Sequence, residues 1–181
     1  MCIRDRDGRT VRDAINFYVK PHPVSVLESE RVDNEFHARL SANKRIYLYK
    51  ITNRRAPLAV EKGLSWHIPQ ELDLDVMNAA AENLIGKHDF TTFRAVGCQA
   101  GSPVKTLDYL GVEGDQGLVL ISARARSFLY HQVRNMVGTL KLVGLGQWTV
   151  ENVAEALVAR DRAKGGPTAP PHGLYLTEVV Y

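Results

Sequence analysis

The side chains with the most chemical potential lie in two short segments. In KRIYLYKI (44–51), Arg45, Tyr47 and Tyr49 recur at every second position. A strand would set this cation and two phenols on one face, with Ile46 and Leu48 on the other, which can pack. In FLYHQVRNMVG (128–138), Arg134 interrupts an apolar helix pattern, about 100° round from Val133 at the border of the buried stripe. Aromatic rings beside cations suit a polyanion with planar bases, because rings stack and guanidinium groups pair with phosphates. A cation at a core border asks for a carboxylate partner, or else reaches along its stem to water.

The other reactive residue types do not assemble. His22, His37, His67, His88, His131 and His172 stand at no metal-ligand spacing with another His, Cys or Glu. Cys2 and Cys98 make neither a disulfide framework nor a zinc site. G-x-S-x-G, the P-loop and G-x-G-x-x-G after a strand are all missing, and no base is identified for Cys98. Conventional hydrolase chemistry is therefore not indicated.

Composition narrows the class. The chain has 181 residues, 45% of them hydrophobic, and a net charge of +3. That excludes a disordered polyampholyte, and its apolar stretches are too short to span a membrane. MCIRDR has no apolar signal-peptide core, and two cysteines fit a reducing, cytoplasmic setting. The charge is uneven: residues 31–62 carry +5 and the remainder −2. This basic stretch, interleaved with aromatics, fits a nucleic-acid partner or a solvated surface strand.

The elements alternate in type. Helices are predicted over 10–19, 73–86, 128–144 and 149–160, the second stopped by Gly86. Thr149 is an N-cap with Asn152 at N3, short of a full capping box. Strands are predicted over 24–32, 44–51, 63–68, 117–125 and the closing LYLTEVVY, with a Gly/Pro loop over 162–173. In GLVLISARAR, Val119, Ile121, Ala123 and Ala125 share a face, and Ser122, Arg124 and Arg126 share the other. Two strands thus each offer a basic face to border a cleft, or simply to meet water. The pattern fits an α/β or α+β sheet protein with helices on one face.

At these residues the chain resembles the TruA family of tRNA pseudouridine synthases over roughly residues 10–181. FHARLSANKRIYLY (36–49) resembles the family's F-H-A-R-F-S-A…R-Y-x-Y segment. GKHDFTTFRA (86–95) resembles G-x-H-D-F-T-S-F. FLYHQVRNMVG resembles F-L-x-H-M-V-R-N-[IM]-V-G, with Gln132 in place of Met, and GLYLTEVVY (173–181) resembles the C-terminal strand.

The resemblance implies an α+β pseudouridine synthase fold with a mixed or antiparallel central sheet flanked by helices. It divides the chain into 1–9 outside the family, 10–62 as the remainder of an N-terminal domain, and 63–181 as the C-terminal domain. It implies conversion of uridine to pseudouridine at positions 38–40 of the tRNA anticodon stem-loop, with no metal or organic cofactor, by a homodimer. Tyr47, the first Tyr of Y-x-Y, matches the pocket tyrosine that holds the flipped uracil. Arg134 matches the arginine that pairs with the catalytic Asp. Arg39, Arg45, Arg94, Lys105, Arg124 and Arg126 are the candidates for phosphate contacts, each equally compatible with surface solvation.

One departure is serious. The family's nucleophile lies in G-R-T-D-A-G-V-H-A, which this sequence lacks. Gly8-Arg9-Thr10 is followed by Val11-Arg12 before Asp13, so Asp13 reads as a solvent-side helix residue. MCIRDR resembles nothing in the family, and one back-translation of it matches a transposon end used in sequencing libraries. The expectation is a fold incomplete at the N-terminus, a truncated reading frame with an adapter-derived start, inactive as written. The competing expectation is a non-catalytic RNA-binding module that keeps the cleft.

Overall fold

The computed structural model describes residues 6–181, so the first five residues of the MCIRDR start, Cys2 among them, lie outside it. The chain divides into two compact units, one ending at Ser41 and the other spanning Ala42–Tyr181. In the first, helix α1 (Gly8–Tyr18) buries none of its residues. Asp13 is exposed and pairs with its neighbour Arg12 at 2.8 Å. Residues 24–32, expected as a strand, form none. Alternation alone makes no strand without a ladder, and here the Asn16 side chain takes the place of one. Its amide donates to the Val26 carbonyl at 2.8 Å, and its carbonyl accepts from the Val26 N–H at 2.7 Å.

The second unit is a mixed sheet with helices. Its strands are β1 (Lys44–Asn53), β2 (Trp66–Ile68), β3 (Gly86–Asp89), β4 (Val104–Asp115), β5 (Leu118–Ala125) and β6 (Leu174–Val180). The order is β2-β1-β5-β4-β3, with β6 also on β1. β6 runs antiparallel along Lys44–Tyr49 and β2 runs parallel along Ile51–Asn53. Helices α2 (Leu74–Glu82), α3 (Gln132–Gly144) and α4 (Val150–Ala159) complete the core. Met77, Leu107, Ile121, Met136, Val137 and Leu140 are buried at its centre.

Several local expectations change. Helix α2 ends at Glu82, and Gly86, at φ +109°, opens β3 instead of stopping a helix. Thr149 and Asn152 close a complete capping box, because the Asn152 amide oxygen accepts from the Thr149 N–H at 3.0 Å. β3 and β4 were not legible. In β4 the register slips between Leu107 and Tyr109, so the buried positions Leu107, Leu110 and Val112 break the period of two. Alternation in β1 is as expected but its sign is reversed. Tyr49 and Ile51 are buried, whereas Ile46 and Leu48 are only half-buried on the opposite face. The tyrosine face packs inward because it lies opposite Ala123 and Ile121 of β5, whose own buried face meets the core.

Candidate functional site

The site is assembled from β1, the residues leading into α3 and the 165–170 loop, which bonds to both Tyr49 and Arg134. On β1, Tyr47 is half-buried and packs edge-on against Phe128, with ring centroids 5.2 Å apart. Two residues on, Tyr49 is fully buried, and its hydroxyl donates to the Pro170 carbonyl at 2.7 Å. Burial pushes the Tyr49 phenol up, and nearby Arg134 only partly opposes this. Tyr49 is therefore a neutral donor that anchors a loop.

That loop positions Arg134. Residues 165–170 run against α3, where small residues allow the contact. A Cβ on Gly138 would lie 1.7 Å from the Pro167 carbonyl oxygen, and one on Gly166 would lie 2.7 Å from the Thr139 Cα. Asn135, buried in α3, accepts from the Thr168 hydroxyl at 2.6 Å and donates to the Phe93 carbonyl at 2.8 Å. The Ala169 N–H donates to the Arg134 carbonyl at 3.1 Å. The Arg134 Nε–H donates back to the Ala169 carbonyl at 2.6 Å. A second guanidinium nitrogen lies 3.1 Å from His131 Nε2. The cation at the core border is thus satisfied by a carbonyl and an imidazole. Among the described residues no carboxylate forms an ion pair with it.

The remaining candidates scatter. Arg45 shares the inner face of β1 with Tyr47 and donates to the Arg126 carbonyl. Arg94 is committed to the Cys98 and Ala100 carbonyls at 2.7 and 2.8 Å. Its loop reaches the site, because the Ala95 N–H donates to the Tyr130 carbonyl at 3.1 Å. Arg124 pairs in register with Ile46, on the face opposite Arg45, and its guanidinium covers the Tyr109 ring at 4.4 Å. The basic faces of β1 and β5 therefore do not border one cleft. Lys105, half-buried, lies on β4 opposite His88. Arg39 is exposed in the first unit. The sequence sets Tyr49 on the face of Tyr47 without giving it a role, and it gives no sign of the part played by His131, although the His of F-L-x-H lies inside the quoted motif.

The G-x-H-D-F-T motif is structural. Phe90 and Phe93 are fully buried, and the Asp89 carboxylate accepts from the Thr91 hydroxyl at 2.6 Å and its N–H at 2.9 Å. The Thr91 hydroxyl bond is the main reason the Asp89 carboxyl sits below its ordinary range. Among the described residues no three His, Cys, Asp or Glu side chains gather to hold a metal, and no helix is long and apolar enough to cross a membrane.

Comparisons with known proteins add to this geometry. A family model described as tRNA pseudouridine synthase matches residues 80–181. The tRNA pseudouridine synthase A of Paramagnetospirillum magneticum is 57% identical over 178 residues, covering 98% of this chain and 70% of the relative. That of Rhodospirillum centenum is also 57% identical, with 98% and 73% covered. That of Parvibaculum lavamentivorans is 55% identical over 172 residues, with 95% and 70% covered.

Proposed function

Since this chain belongs to the tRNA pseudouridine synthase family, we propose that it forms the uridine-receiving side of an isomerase acting at positions 38–40 of the tRNA anticodon stem-loop. The reaction cuts the N1–C1′ glycosidic bond, turns the uracil and joins C5 to C1′; the C5 proton leaves and N1 regains one. The base must leave its stack first, at a cost of a few kcal/mol. Tyr47, with its ring braced by Phe128, stacks on the extruded uracil and offsets about 1–3 kcal/mol of that cost. A neutral phenol is a weak base, so stacking is its main role.

Arg134 orients a carboxylate and keeps it ionised. One observation carries this reading: the guanidinium is held in place by neutral acceptors, with no ion-pairing carboxylate among the described residues. The G-R-T-D context of the nucleophile is absent from the sequence, and Asp13 is exposed and paired with Arg12. We therefore propose that this chain binds anticodon stem-loop RNA in the cytoplasm as a homodimer and isomerises nothing. Arg45, which shares the face of Tyr47, is the leading phosphate candidate; Arg94, committed to two carbonyls, and Arg39, Lys105, Arg124 and Arg126 are the weaker ones.

The test incubates the purified chain with stem-loop RNA carrying uridines at 38–40, then quantifies pseudouridine by nucleoside chromatography. Binding with no product is expected. Product above the protein-free control overturns the inactivity. Equal affinity for an unrelated RNA hairpin favours a general RNA-binding module instead.

A further inference from the structure

We infer that His131 is a positioning residue for the uridine site: its neutral imidazole accepts a hydrogen bond from Arg134 through Nε2 and so fixes the direction of the guanidinium. The inference rests on the role proposed above for Arg134. Three independent features of the geometry support it.

First, the distance from the Arg134 guanidinium nitrogen to His131 Nε2 is 3.1 Å. A guanidinium has only donors, so Nε2 must be the lone-pair nitrogen and the proton must sit on Nδ1. Second, His131 adopts a left-handed conformation, φ 59° and ψ 9°, at the residue preceding α3. It makes no side-chain cap there. This region disfavours most side chains, and such strain persists where the surroundings impose it. Relieving an uncapped helix start explains nothing, whereas aiming the ring back at the first turn does. Third, the ring is clamped on its other side. Tyr130 stacks on it with centroids 3.9 Å apart and planes 28° from parallel. The Tyr130 backbone is tied in turn to Cys98 Sγ and Ala95.

The charged and titratable neighbours are Arg134 on α3 and Tyr130 on the preceding loop. Burial first and the Arg134 charge second hold the His131 pKa below its ordinary value, which favours the accepting form at neutral pH. With Ala169 on Nε and His131 on one terminal nitrogen, both inner edges of the guanidinium have neutral partners. The other terminal nitrogen makes no hydrogen bond among the described residues and is the donor left for a carboxylate. A histidine here serves better than a carboxylate, which would neutralise Arg134 in advance.

The test is long-range 1H–15N NMR on the labelled full chain, with no RNA present. The expected result is an Nδ1–H tautomer for His131 that stays neutral below the pH at which a free histidine protonates. Replacing Arg134→Met should release the tautomer and raise the apparent pKa. The Arg134 Nη protons that face His131 should exchange about three- to tenfold faster in His131→Gly, which suits the left-handed backbone, and recover in His131→Gln. An Nε2–H tautomer in the native chain, or exchange unaffected by His131→Gly, overturns the inference. Because RNA plays no part, that failure is separate from any failure to bind the stem-loop.

Discussion

The turn around residues 86–95 and the first turn of α3 both carry family-like motifs, yet they use their polar groups in opposite ways. In the former, Phe90 and Phe93 are fully buried and the Thr92 hydroxyl donates to the Ala156 carbonyl at 2.6 Å. Asp89 binds its own turn through Thr91. In the latter, Arg134 and His131 stay half-exposed, and Ala169 hydrogen-bonds to Arg134 through both its N–H and its carbonyl. A motif therefore mixes residues that build with residues that act, and the destination of each hydrogen bond tells them apart.

The contrast breaks most visibly through stability. Phe93→Ala should cost about 3–5 kcal/mol in chemical denaturation, because it empties a core site. A loss under about 1 kcal/mol would mean the turn is not structural. Gly138→Ala should cost about 1–3 kcal/mol, since its Cβ would strike the Pro167 carbonyl. It should also weaken RNA binding by displacing the Ala169 carbonyl from Arg134.

Asp89→Ala should cost about 1–2 kcal/mol at neutral pH. Its depressed carboxyl contributes stability that is complete above the unfolded value and lost as pH falls through the folded one. The gap between native chain and variant should therefore close in strong acid; a gap constant with pH would contradict this. The smallest effects separate the two sheet faces. Arg45→Ala should reduce the salt slope of RNA binding by about one charge, while Arg124→Ala, on the opposite face over Tyr109, should leave it nearly unchanged.

Sequence periodicity revealed what local pattern controls and missed what context controls. The faces of β5 and the start of α4 at Thr149 followed from alternation and capping chemistry. β4 was hidden because its bulge shifts the apolar phase between Leu107 and Tyr109. Residues 24–32 alternate without a pairing partner, so their pattern produces no strand. The inward face of β1 was misjudged because tyrosines serve a core as well as a surface; partner-strand burial, not residue type, decides. Tyr47 and Arg134 were legible as unusual residues. His131 was not, since its left-handed backbone and its contact with Arg134 arise only once the 94–100 loop and α3 are folded.

The central claim is that the half-buried Tyr47, not its buried neighbour Tyr49, meets the uridine. Equilibrium binding of the anticodon stem-loop to the native chain and to Tyr47→Ala tests it most directly. The expected loss is about 5- to 150-fold, matching about 1–3 kcal/mol of stacking, with a melting transition close to native. Unchanged affinity in a folded Tyr47→Ala variant would contradict the account.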